Sequence, residues 1–225
     1  MYDQRKKIFL FTGLGADERA FSYIKFPGDY HIIHVYWLKP EKNESLLSYC
    51  RRLIEKYEIH RTDVLIGLSF GGIVATEIHI LLNSSLTVLI SSVATADELP
   101  VSYKIAGKIN FNKIIPKSFY NNPDLLKKYF FNLKSEEQIK LFDEILKKSD
   151  VDFVSWAIDK ILHWHNSKKP SRLYKINGSA DRILPVKRRN TDFFIVNGNH
   201  FLTWQKPEEV SDIIQGLLQK HSPLV

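Results

Sequence analysis

The chain has 225 residues, 44% of them hydrophobic and 25% charged, the usage of an ordinary globular domain and not of a disordered or fibrous chain. Lys and Arg number 32 against 25 Asp and Glu, a formal charge of +7, but the basic residues are spread through 104–169 and 187–189 without a nucleic-acid motif, so a solvated surface is expected and no nucleic-acid partner. Cys50 is the only cysteine, which excludes an intrachain disulfide and a multi-cysteine metal site and fits a reducing compartment, with the cytoplasm as the expected location.

The first apolar run, 7–11, is short and leads through Gly13-Leu14-Gly15 into Asp17-Glu18-Arg19, so it reads as a strand and not as a signal peptide. No uninterrupted run approaches the roughly 20 apolar residues that cross a bilayer, and no stable membrane insertion is expected. A second strand is predicted at 31–36. Leu46, Cys50, Leu53 and Tyr57 then recur at helical spacing, with Asn43 placed to cap the helix. Cys50 sits on the apolar stripe and reads as packing, not as a nucleophile.

The strand predicted at 63–66 runs into Gly67-Leu68-Ser69-Phe70-Gly71, and a helical run follows over 72–82. A further strand is predicted at 87–90. The alternation of strand and helix then stops between 97 and 164, where 124–131, 135–147 and 150–164 read as consecutive helices. This stretch is expected to be a helical lid inserted into one α/β domain covering residues 1–225. Its Tyr129-Phe130-Phe131 run beside Lys127-Lys128 reads as lid core, with recognition of an acyl group or a shallow membrane contact left open. His163 and His165 stand two apart, about 200° around a helix, which does not chelate one ion. Strands are predicted at 172–176 and 193–196. A last helix starts near Pro207 and carries Val210, Ile213, Ile214, Leu217 and Leu218 on one stripe. Six short strands alternating with helices favour a mainly parallel sheet covered on both faces.

The pattern G-x-S-x-G between a strand and a helix is where a serine hydroxyl stands clear on a sharp turn, with glycines allowing the strained backbone. Ser69 is therefore the candidate nucleophile. The base it needs is His200, in the turn Asn197-Gly198-Asn199-His200 after the final strand, although a surface histidine in that loop is also consistent with the sequence. Asp181 ends the turn Gly178-Ser179-Ala180-Asp181 after the preceding strand and is the candidate acid, with Asp97 as the alternative. The backbone N–H groups of Leu14 and Phe70 are the candidate oxyanion donors. The glycine-rich turn at 13–15 lacks both the lysine and the spacing of a phosphate cradle. Four tryptophans, Trp37, Trp156, Trp164 and Trp204, are open to assignment as pocket wall or core.

With these motifs the chain resembles the α/β-hydrolase family, more closely its small bacterial-type members. The resemblance rests on Thr12-Gly13-Leu14-Gly15-Ala16-Asp17, on Gly67 to Gly72, on Asn177-Gly178-Ser179-Ala180-Asp181-Arg182 with Pro185, and on Gly198-Asn199-His200. It departs in starting at what would be the family's third strand, which implies a six-stranded sheet, and in having Thr12 where many members have histidine. The resemblance implies hydrolase chemistry on a small-molecule acyl substrate without a metal or organic cofactor. The expected reaction is cleavage of an ester or thioester through an acyl-enzyme on Ser69, with a lyase, an acyltransferase or a ligand-binding protein on the same scaffold as alternatives.

Overall fold

The computed structural model describes residues 6–108 and 150–221. Its strands are β1 (Lys6–Phe11), β2 (Tyr30–Val35), β3 (Val64–Leu68), β4 (Leu86–Ile90), β5 (Leu173–Gly178) and β6 (Phe193–Ile195). They form one six-stranded sheet in the order β2-β1-β3-β4-β5-β6, and every neighbouring pair is parallel. The central strands β3 and β4 are buried along their whole length, as expected of strands covered on both faces.

Alternate residues of β1 show how the two cores are divided. Ile8 and Leu10 join Ile66, Val88, Phe21, Val210, Ile214, Leu217 and Leu218 in one cluster, while Phe9 and Phe11 join Leu65, Leu89, Tyr49, Leu53, Val74 and Phe153 in the other. The first cluster is closed by the final helix and the second by the helices α1 (Leu46–Tyr57), α2 (Phe70–Leu82) and α4 (Val151–Leu162). Two further helices are α3 (Val101–Lys108) and the single turn α5 (Leu202–Gln205). The final helix, α6 (Pro207–His221), starts at the expected proline, with Glu208 and Glu209 in its first turn and Lys220 in its last, each of a sign that suits the helix dipole. Its buried Val210, Ile214, Leu217 and Leu218 contribute roughly 1.5–3 kcal/mol each.

Several boundaries differ from those read from the sequence. The cap of α1 is Ser45, whose side chain accepts from Ser48 N, and not Asn43. Asn43 has a left-handed backbone, φ 59°, in a turn where Glu44 N reaches Glu41 O and the Glu44 carboxylate accepts from Glu41 N, so the helix starts only after it. β3 and β5 run beyond their apolar stretches because the ladder continues, with Leu68 opposite Ile90 and Gly178 opposite Ile195. α4 is capped by Asp150 and stops at Leu162, two residues before the expected end.

Between β4 and β5 the described residues hold α3 and α4 and no strand. The helices expected at 124–131 and 135–147, and with them Lys127, Lys128 and Tyr129-Phe130-Phe131, lie outside the described residues. Among the described residues no helix is long and apolar enough to cross a membrane.

Candidate active site

In a parallel sheet every strand ends on the same edge, so loops after different strands converge there. Ser69 follows β3, Asp181 follows β5 and His200 follows β6. Ser69 itself has φ 53° and ψ −120°, a conformation that L residues rarely adopt and that costs of order 1–3 kcal/mol unless the surroundings hold it. Its neighbours show what holds it. A Cβ on Gly67 would overlap the backbone of Gly71 and Gly72, and one on Gly71 would overlap the carbonyl oxygens of Phe11 and Thr12. Glycines at 67 and 71 thus let α2 start directly against the ends of β3 and β1.

The three side chains form a hydrogen-bonded series. Ser69 Oγ lies 2.9 Å from His200 Nε2, and His200 Nδ1 lies 2.8 Å from Asp181 Oδ2. The other carboxylate oxygen of Asp181 accepts from the backbone N–H groups of Ile183 and Leu184, both at 2.9 Å. His200 and Asp181 are 6% and 4% exposed, so water competes little for either bond. Burial alone would raise the Asp181 carboxyl; the charge and hydrogen bond of His200 and the two backbone donors outweigh it and hold the group below its ordinary value. Asp97, the alternative acid, stands away from this series, with its side chain 86% exposed and paired with Lys104 at 3.4 Å.

The loop after β1 lies over the serine. A Cβ on Gly13 would sit 3.2 Å from Ser69 Cβ and 3.8 Å from Ser69 Oγ, which brings Leu14, the next residue, to the edge of the site. Thr12 closes this loop by donating from Oγ1 to Ala16 O at 3.0 Å. Ala16 N in turn donates to Gly13 O. Phe70, the other candidate donor, is the first residue of α2, where backbone N–H groups have no intrahelical acceptor.

The four tryptophans have separate positions. Trp37 and Trp156 pack with Phe70, Tyr49 and Phe153 in one aromatic group, the Trp37 and Phe153 rings stacked at 5.4 Å, within the core cluster on the α1 and α2 side of the sheet. Trp204 stacks on Phe201 at 5.3 Å and donates to Arg19 O, tying the His200 loop to the turn after β1. Trp164 donates to Glu77 Oε1 at 2.7 Å. Cys50 is wholly buried, and burial holds its thiol well above the ordinary value. His163 bonds Asp159 O and Gly107 O, joining the end of α4 to α3, while His165 is exposed. Among the described residues no group of three His, Cys, Asp or Glu side chains is arranged to hold a metal.

One side chain near the site has no part in the sequence reading: Ser92, whose Oγ donates to Ser69 O at 2.7 Å. Asn177, read there only as part of the segment leading to Asp181, donates from Nδ2 to Ser92 O at 3.0 Å. The one available signal was position, since Ser91-Ser92 directly follows the strand beside β3.

Solved structures with this architecture are numerous, and their likeness extends over almost the whole chain. A carboxylesterase structure from the thaumarchaeon Nitrososphaera gargenis superposes with a TM-score of 0.73 at 14% identity, covering 97% of this chain and 92% of that one. The enol-lactonase from Burkholderia xenovorans LB400 gives 0.72 at 11% identity, over 96% and 92% of the two chains. The chain has the α/β-hydrolase fold. A bromoperoxidase from Bacillus anthracis shares the same α/β-hydrolase architecture, with a TM-score of 0.67 at 14% identity and coverage of 96% and 92%. No family model and no curated protein sequence matches the chain.

Proposed function

We propose that this chain is a serine hydrolase that cleaves a carboxylic ester or thioester of a small molecule. The observation that carries this reading is the unbroken series from the Ser69 hydroxyl through the His200 imidazole to the buried Asp181 carboxylate, at 2.9 and 2.8 Å. The esterase and lactonase relatives in fold support the same class of reaction.

In this mechanism Ser69 Oγ attacks the substrate carbonyl carbon as its proton passes to His200 Nε2. The N–H groups of Leu14 and Phe70 stabilise the oxyanion, each such donor being worth roughly 10²–10³ in rate. Collapse of the intermediate breaks the bond to the leaving alkoxide or thiolate, which takes the proton from His200, and leaves the acyl group on Ser69. A water molecule then gives its proton to His200 and attacks the acyl carbon. The second intermediate releases the carboxylic acid, and the proton returns to Ser69 Oγ. Asp181 accepts from Nδ1 throughout, keeping Nε2 free to act as base and stabilising the imidazolium when it forms.

The test is labelling with a fluorophosphonate together with turnover of p-nitrophenyl esters and thioesters of increasing chain length. The expected result is stoichiometric labelling and turnover in the native protein, both lost in Ser69→Ala. Labelling that persists unchanged in Ser69→Ala overturns the assignment, and labelling without turnover of any ester or thioester points to another reaction at the same serine.

A further inference from the structure

We propose that Ser92 is a positioning residue that aims the Phe70 N–H at the developing oxyanion, a role that rests on the reading of Ser69 as nucleophile. Ser69 O and Phe70 N–H belong to one peptide unit, and no peptide bond among the described residues is cis. In a trans peptide the oxygen and the hydrogen point in opposite directions within a rigid plane, so whatever fixes the carbonyl also fixes the direction of the N–H.

Ser69 O is held at two points. Gly72 N donates to it at 2.9 Å from within the first turn of α2, and Ser92 Oγ donates at 2.7 Å from the end of β4. The second bond comes from outside the helix, so it can resist a rotation of this peptide that the helix turn alone would follow. Bonds accepted by the carbonyl also polarise the amide and strengthen its N–H as a donor.

Several features are arranged around this one bond. Ser92 is wholly buried, as is Asn177. Asn177 Nδ2 holds Ser92 O at 3.0 Å, and Asn177 Oδ1 is in turn 2.9 Å from Thr191 Oγ1. Ser92 is therefore anchored from β5 and from the turn before β6, the strands that also deliver Asp181 and His200. Gly72 completes the arrangement, because a Cβ there would overlap the Ser92 hydroxyl. The glycine after G-x-S-x-G leaves room for a donor from the next strand.

The experiment compares Ser92→Ala and Ser92→Cys with the native chain, and with Ser84→Ala as a control. Ser84 is also buried, and its hydroxyl has no partner among the described residues. Three quantities are read: kcat/KM for p-nitrophenyl acetate, the fluorophosphonate labelling rate, and the inhibition constant of a trifluoromethyl ketone, whose hemiketal oxygen occupies the oxyanion position. Ser92→Ala should lower kcat/KM by about tenfold, less than the roughly 10²–10³ of losing the donor outright. It should weaken the ketone by the same factor, with the weaker thiol donor of Ser92→Cys falling between and Ser84→Ala unchanged.

A merely structural role would lower the melting temperature without this parallel between turnover and ketone affinity. If Ser92→Ala does not fold, the near-isosteric Ser92→Cys decides. Full native kcat/KM in a folded variant, or a loss that ketone affinity does not follow, overturns the proposal. A native chain that neither labels nor turns over esters removes the hydrolase reading and this one with it, an outcome distinct from an active native chain whose Ser92 variants are equally active.

Discussion

Gly178 and Gly198 meet backbone to backbone: a Cβ at either position would intrude on the other residue, and at 178 it would overlap the Gly198 carbonyl itself. Ala180 N donates to Gly198 O at 2.8 Å across the same contact. The loop that carries Asp181 thus lies directly on the loop that carries His200. Gly178→Ala should force the two apart and separate Asp181 from His200. Displacements of about 1 Å in such a site cost on the order of 10²-fold, and kcat/KM measured on the folded variant should fall at least that far.

Asp181→Asn tests the acid more directly. An amide whose oxygen keeps the Ile183 and Leu184 donors turns its NH₂ toward His200 Nδ1. That favours the tautomer with a proton on Nε2, which cannot take the proton of Ser69. The expected loss in kcat is roughly 10⁴-fold with the fold retained. The same variant has a signature in stability. The native carboxyl is held below its ordinary value, so the folded state binds fewer protons than the unfolded state there. Its stabilising contribution is complete above the unfolded value and is lost as pH falls through the folded one. Urea unfolding below about pH 4 should therefore be less pH-dependent in Asp181→Asn than in the native chain.

Thr12 holds the turn that presents Leu14. Thr12→Val keeps the shape and removes the bond to Ala16 O. With the loop less well held, kcat should fall by about tenfold, short of the roughly 10²–10³ for a missing oxyanion donor. Binding of substrate, read as KM for a p-nitrophenyl ester, should change by less than about twofold, since the hydroxyl faces the loop and not the acyl group.

His79 gives a prediction for acid stability far from the site. It is buried on α2 with Nδ1 2.8 Å from Thr87 Oγ1 and no partner for Nε2 among the described residues. Burial, and then the charge of Arg172, pushes it down from 6.5 to about 4. Between those values the unfolded chain takes up a proton that the folded chain refuses, so stability is complete above about pH 6.5 and declines toward pH 4. The decline attributable to this group is at most about 3 kcal/mol. Urea midpoints between pH 7 and 4.5 should be markedly flatter in His79→Leu; an unchanged slope sinks the assignment.

The strands were readable because a buried parallel strand is a short apolar run between turn residues, and 7–11, 63–66 and 87–90 have no other plausible use. Their ends were less so, because ladder bonds at Leu68 and Gly178 depend on partners in other strands and not on local hydrophobicity. The cap of α1 was misread for a similar reason: Asn43 and Ser45 both have capping side chains, and it is the folded-back Glu41–Glu44 turn that selects the second. Ser69, Asp181 and His200 could be singled out because each follows a strand, although Asp97 met a similar description until the structure showed it in solvent on Lys104.

What the sequence hid are side chains whose meaning lies wholly in distant partners. Lys175 is a charged residue in β5, buried to 1% exposure, and its ammonium meets Glu98 Oε1 at 2.5 Å, a residue 77 positions earlier in the chain. Ser92 is as ordinary a serine as Ser91 until β3 and β4 are laid side by side.

The order of Ser69, Asp181 and His200 along the polypeptide also sets when they can meet. A ribosome completes β3, its sharp turn and α2 long before it reaches the residue that sits on the Ser69 hydroxyl, since His200 follows β6, the last strand among the described residues. On the proposed reading, Ser69 lacks its base until then, and a nascent chain or a fragment ending before residue 200 should resist fluorophosphonate labelling.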